Sequence, residues 1–254
     1  MKSLIVLLFC FVMYAGNSQT IGYTTSNAHS HNDYEQKQPF WQAYNAGFGS
    51  IEADIFLVGE ELFVAHTKSE LATKKRKLDS LYLVPLLENI RKNKGSVYPD
   101  KLRKLQVLID IKTDATPTIR KLVETIGRYP ELTKTATLRF TISGNRPNPD
   151  SFFSYPPFIM FDGEMNINYR KEALNRIVLM SASLKKYTAW NGNGPLPEKD
   201  SLAIIRDIDK SHKLGKPVRF WEAPDHENSW TALMRLQTDY LNTDKISELA
   251  GFLK

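Results

Sequence analysis

The chain has 254 residues, enough for one large domain or two small ones with a sizeable core. Its 42% hydrophobic and 11% aromatic content excludes collagenous, coiled-coil and disordered classes. The formal charge of +6 is spread out except for one basic knot at Lys68 and residues 74–77. That knot reads as a solvated loop, or else as an attractor of an anionic substrate or a peripheral lipid surface. No nucleic-acid motif is present.

The opening MKSLIVLLFCFVMYAGNSQT starts with Lys2, runs apolar from Ser3 to Ala15, and ends in the small residues Gly16 and Ser18. It reads as a secretory signal peptide cut near Ser18/Gln19. The apolar run falls short of the ~20 residues that span a bilayer. Cys10, within this run, is the single cysteine, so the mature chain has none and relies on its core alone. The expectation is a signal peptide over 1–18 and one domain over 19–254, exported to the periplasm or secreted.

Past this segment, strand-like runs fall at 23–28, 50–56, 106–112, 137–143, 158–162, 177–182, 218–223 and 240–243. FLVGEELFVAH adds a hairpin turning at Gly59–Glu60. Between most strands lie amphipathic stretches. In one, Thr116 is the expected N-cap, with Pro117 in the first turn; another, DSLAIIRDIDKSHKLG, closes at Gly215. Alternation of strand and helix implies a parallel sheet. Eight such units predict an α/β fold of the (β/α)8 TIM-barrel type, with a doubly wound open sheet as the alternative.

SIEADIF is the most informative strand. Ser50, Glu52 and Asp54 share one face, and Ile51, Ala53 and Ile55 the other. In a barrel the aliphatic face packs under the helices and the carboxylates point inward. Two adjacent buried carboxylates repel unless something positive neutralises them. Oxygen ligands suit Mg²⁺ or Ca²⁺. QVLIDIKTD repeats the pattern, adding Asp110 as a third carboxylate and Lys112 as a cation. His31, in NAHSHNDY, follows the first strand, and His66 closes the hairpin. Both belong to loops expected at the same C-terminal rim, which suggests an acid/base pair beside a metal.

AHSHNDY, GFGSIEADIF, GEELFVAH and VLIDIK together resemble the glycerophosphodiester phosphodiesterase and phosphatidylinositol-phospholipase-C-like superfamily. Spider-venom sphingomyelinase D has a similar motif layout. The resemblance is to the branch opening with His-Asn-Asp-Tyr, which includes the fungal altered inheritance of mitochondria proteins. It returns at FWEA and YLNTDK. It implies His31 and His66 as the catalytic acid/base pair, and Glu52, Asp54 and Asp110 as ligands of one divalent ion, Mg or Ca. It also implies Lys112 at the phosphate, Trp221 in the substrate pocket, and Asn242 and Asp244 on the closing strand. Three departures bear on substrate more than chemistry. The phosphate-binding arginine of His-Arg-Gly is absent, and Asn32 is expected to take part of its role. Thr67 stands where the larger family has Asp. The third carboxylate is Asp, as in sphingomyelinase D. His29 is the alternative to His31; the Asn-Asp-Tyr directly after His31 favours the latter.

The function implied is metal-dependent hydrolysis of a glycerophosphodiester or phospholipid-type phosphodiester, within lipid metabolism, by a monomer. A barrel that binds a headgroup or glycan without turnover is the alternative. EAPDHENSW places Glu222 and His226 near the rim, and Trp190 is a candidate either to cover the substrate or to pack.

Overall fold

The computed structural model describes residues 22–73 and 75–254. The expected signal peptide lies outside the described residues.

The strands are β1 (Ala28–Ser30), β2 (Ser50–Val58), β3 (Glu61–Val64), β4 (Leu105–Ile111), β5 (Leu138–Gly144), β6 (Ile159–Glu164), β7 (Ile177–Ser183), β8 (Val218–Trp221) and β9 (Leu241–Thr243). Within the sheet they run β8-β7-β6-β5-β4-β2-β1-β9, with β3 hairpinned antiparallel onto β2 at Gly59–Glu60. All other pairings are parallel. A single bridge between Arg219 and Tyr240 links the two ends of this order. The result is a nearly closed eight-stranded parallel barrel, as the alternation of elements predicts; the open doubly wound sheet is not formed.

Two local expectations are corrected. The first strand is shorter and later than 23–28. Thr25–Asn27 form a 3₁₀ turn instead, because the Thr24 hydroxyl accepts from Ser26 N and the Asn27 carboxamide accepts from Thr24 N. Such short-range side-chain bonds offer the backbone an alternative to strand pairing. The helix expected to start at Thr116 spans Ala115–Gly127, with Asp114 at its N-cap. The helix ending near Gly215 is Glu198–Lys213, and Gly215 takes the positive φ (+68°) that ends it.

Strand alternation sorts the side chains as read from sequence. Ile51, Ala53 and Ile55 are fully buried under the helices, as are Val107 and Ile109, each large aliphatic contributing ~1.5–3 kcal/mol on burial. The opposite faces of β2 and β4 turn Glu52, Asp54 and Asp110 into the barrel mouth. Among the described residues no helix is long and apolar enough to cross a membrane.

Candidate active site

A cleft of about 680 Å³ opens at the C-terminal ends of the strands, where barrels of this type carry their sites. Register builds its acidic wall: Asp54 on β2 pairs with Asp110 on β4, and Asp110 in turn with Ser143 on β5. Glu52, Asp54 and Asp110 each offer an oxygen within 4.8 Å of the others, a group that could hold a metal ion. Lys112 Nζ stands 2.9 Å from Asp54 Oδ2 and 3.2 Å from Asp110 Oδ1. Burial opposes the lysine's charge, but the two carboxylates outweigh it and raise its pKa. Asp54 Oδ1 is buried with no hydrogen-bond partner. Burial first, and the Glu52 charge second, push the Asp54 carboxyl up to about 6; Asp110 is raised mainly by burial. Gly144, at φ +66°, is required by this wall, since a Cβ there would lie 2.1 Å from Asp110 Oδ1.

The opening motif divides into separate tasks. His31 faces the cleft, with Nδ1 2.9 Å from Asp244 Oδ1 and Nε2 3.8 Å from Glu52 Oε1. Burial works against its protonation, yet the Asp244 hydrogen bond and the Glu52 charge prevail and raise its pKa. Asn32 adopts a left-handed conformation (φ 45°) that turns the chain over the rim. Asp33 is a staple: its carboxylate accepts from Ser30 Oγ, Phe40 N and Tyr82 Oη at 2.8, 2.6 and 2.9 Å. Tyr34 donates to Asp54 Oδ2 at 2.7 Å, and its hydroxyl lies 3.2 Å from His66 Nδ1. His66 Nδ1 is 3.4 Å from Asp54 Oδ2, so the second histidine borders the carboxylates at Asp54, whereas His31 borders them at Glu52. The basic knot is only partly solvated. Arg76 stacks 5.3 Å over the Tyr34 ring and pairs with Glu35 at 2.8 Å.

His29 does not face the cleft. It is fully buried beneath Glu52, with Nδ1 2.7 Å from Ser50 Oγ and Nε2 2.9 Å from Glu52 Oε2. Burial, then the Arg219 charge, push its pKa down to about 4, so it is neutral. Arg219, which the sequence reading passed over, is the main cation of the barrel floor. Its Nη1 donates to Glu52 Oε2 at 2.9 Å and Asn242 Oδ1 at 3.2 Å, while Nη2 approaches Asp162 Oδ2 at 3.8 Å. Burial disfavours the Glu52 charge, but His29 and Arg219 hold its pKa well below the carboxylate range.

Of the residues singled out from sequence, His31, Asn32, Glu52, Asp54, His66, Asp110, Lys112 and Trp221 all line the cleft. Asn242 is not among its lining residues; its carboxamide is engaged by Arg219 below the floor. Glu222 lines the cleft, but Trp190 and His226 do not. Trp190 instead donates to Asn193 O. Asp162, Arg146 and Tyr34 were missed. Of these, Tyr34 had a signal in its position directly after the catalytic-looking His-Asn-Asp.

The fold and the residues at its rim define a phosphodiesterase-type (β/α)8 barrel. A family profile described as an AIM6-like phosphodiesterase domain matches residues 18–133, and one described as the glycerophosphoryl diester phosphodiesterase family matches 217–246. The first span holds both histidines and the three carboxylates; the second holds Arg219, Trp221 and Asp244. The altered inheritance of mitochondria protein 6 homolog of Arthroderma benhamiae is 26% identical over 280 residues, covering 92% of this chain and 85% of its own length. A crystal structure of a glycerophosphodiester phosphodiesterase from Parabacteroides distasonis superposes with a TM-score of 0.58 at 14% identity, over 89% of this chain and 96% of that one. A Ca²⁺-dependent phosphatidylinositol-specific phospholipase C from Streptomyces antibioticus gives 0.53 at 13% identity, over 89% and 97%. At such identities these structures speak to the fold. The two profile matches and the fungal relative fit the resemblance read from the sequence, to the glycerophosphodiester phosphodiesterase and phosphatidylinositol-phospholipase-C-like superfamily and its AIM6-like branch.

Proposed function

We propose that the chain is an exported phosphodiesterase that uses one divalent cation, Mg²⁺ or Ca²⁺, to hydrolyse a glycerophosphodiester or phospholipid-type diester. The observation that carries this is the cluster of Glu52, Asp54 and Asp110 oxygens within 4.8 Å, one of them unpartnered, flanked by His31 and His66.

The residues fit a hard cation. The donors are all carboxylate oxygens. On the cleft floor the carboxylates of Glu52, Asp54, Asp110 and Asp162 outnumber the fixed cations Lys112 and Arg219. When bound, the ion supplies Lewis-acid neutralisation of charge developing on the phosphate. Glu52, Asp54 and Asp110 would hold it. Lys112, kept charged by its carboxylate neighbours, places a second positive group at the phosphate. His31, whose Nδ1 is fixed by Asp244, presents Nε2 to the cleft. Its raised pKa favours the imidazolium, suited to protonating the departing alkoxide. His66, beside Asp54, would take the proton from the attacking hydroxyl, whether of water or of the substrate itself. Tyr34 bonds Asp54 and lies against His66, so it fixes the base relative to the ligand set.

The test is hydrolysis of bis-(p-nitrophenyl) phosphate by the purified mature protein. Turnover should vanish in EDTA and return with added Mg²⁺ or Ca²⁺. Turnover that survives EDTA rejects the metal. No turnover with any divalent ion rejects catalysis and leaves the headgroup- or glycan-binding barrel.

A further inference from the structure

The basic knot that follows His66 has one member turned inward. Lys68, Lys75 and Lys77 are exposed, whereas the Arg76 side chain is only 22% exposed and its Nε is buried without a hydrogen-bond partner. The path of the chain brings it there. The segment leaves the hairpin at His66, makes a 3₁₀ turn over Lys68–Ala72, and returns beside β3. There Val64 N donates to Arg76 O at 2.8 Å, and Lys77 bridges Phe63. Arg76 therefore closes the loop that His66 opens, and its side chain crosses to Tyr34 and Glu35 in the opening motif.

His66 has little else to hold it. Its side chain is 55% exposed, with Nδ1 3.2 Å from Tyr34 Oη and 3.4 Å from Asp54 Oδ2. An exposed side chain changes rotamer on the picosecond to nanosecond scale, so a defined imidazole here depends on a fixed backbone beneath it and a fixed partner beside it. The Arg76 guanidinium reaches both. Along the backbone, His66 N donates to Glu70 Oε2 at 3.1 Å, and the same oxygen is 3.9 Å from Arg76 Nη2. Along the ring, the guanidinium lies 5.3 Å over the face of Tyr34, the residue whose hydroxyl meets His66. Nη1 donates to Tyr34 O, and Nη2 donates to Glu35 Oε1 at 2.8 Å. A planar, delocalised fork can bond a carbonyl and a carboxylate while stacking on an aromatic face, which a lysine ammonium does not reproduce.

We propose that Arg76 is a positioning residue for His66: by tying Tyr34, Glu35 and Glu70 together it locks the loop that carries the imidazole and holds the ring against Asp54. The proposal takes from the reading above only that His66 moves a proton. Arg76 is not among the residues lining the cleft and belongs to no metal-binding group, so its influence on turnover passes through His66.

The test has two arms, both on the full mature protein. In EDTA, nitrogen–proton NMR correlations of the histidine rings should shift and broaden at His66 in Arg76→Gln, while those of His31 and His29 stay in place. His66 signals that do not move overturn the proposal. In the metal-supplied hydrolysis of bis-(p-nitrophenyl) phosphate, Arg76→Gln should lower kcat roughly 10–100-fold with KM unchanged, the scale of a misplaced catalytic group. Placed on His66→Asn, the same change should cost less than about twofold, because its target is already gone. An equal loss in both backgrounds assigns Arg76 to the fold at large and overturns the proposal. If Arg76→Gln does not fold, Arg76→Lys keeps the cation, lacks the fork and is read in the same way; His66 signals unmoved there overturn the proposal too. A mature protein that hydrolyses nothing sinks the catalytic reading and leaves the NMR arm to decide the positioning. Metal-dependent hydrolysis with unmoved His66 signals does the reverse.

Discussion

Replacing Arg219 with methionine tests the charge balance on which the site depends. Arg219 and Glu52 are both 5% exposed at the side chain and stand 2.9 Å apart. The same guanidinium faces Asp162 at 3.8 Å. Methionine keeps much of the volume but leaves two buried carboxylates without their fixed cation. Removing one partner of a buried ion pair costs ~3–5 kcal/mol. For a domain of this size that corresponds to a fall in Tm of roughly 6–20 °C. Arg219→Lys retains the charge but not the planar fork, so its loss should be smaller. The more negative floor of Arg219→Met should also bind a divalent cation more tightly. Saturation at a hundred times Kd returns about 2.7 kcal/mol, and the Tm gain on adding Mg²⁺ should exceed that of the unsubstituted protein. The assay is thermal unfolding in EDTA and in graded Mg²⁺. A loss below about 1 kcal/mol, or a Tm indifferent to Mg²⁺ in both proteins, would falsify the view of Arg219 as the cation that offsets a metal-ready acidic floor.

His31→Asn and His66→Asn should each lower turnover ~10²–10⁴-fold, while the double variant is little worse than the poorer single one, because the two act as a unit; additive losses on bis-(p-nitrophenyl) phosphate count against a shared step. His29 carries a pH signature. Its pKa is depressed from 6.5 to about 4 in the folded chain, so the unfolded state takes the proton first. This stability is complete above 6.5 and declines as the pH falls toward 4, by roughly 3 kcal/mol. Denaturant titrations of His29→Gln should lack that component of the acid decline, and curves parallel to the unsubstituted protein's contradict the assignment. The export proposal predicts that N-terminal sequencing of protein from the cell envelope or medium starts near Gln19; recovery of Met1 or Lys2 in the mature product contradicts it.

The sequence by itself determined the layering of the barrel and the acidic wall. Both rest on a period of two along a strand, which is local: once Ile51, Ala53 and Ile55 go under the helices, Glu52 and Asp54 must face the mouth, and Asp110 follows on β4 by the same rule. The hairpin at Gly59–Glu60 was equally local, and it delivers His66 to the rim. What the tertiary structure alone decided is which charges meet across the barrel. Arg219 is 167 residues from Glu52 in the chain, and no periodicity relates them; they touch because the sheet curls until β8 reaches the β9 side. The same closure assigns Asp244 to His31 and Asn242 to Arg219. It also separates His29 from His31. The 3₁₀ turn at Thr25–Asn27 delays the first strand, so His29 is a strand residue pointing to the floor, and His31, one residue past the strand, reaches the cleft. Asp162, which shares MFDGE with Glu164, was illegible for a further reason: its carboxylate Oδ1 lacks a hydrogen-bond partner, and only the packed surroundings reveal that.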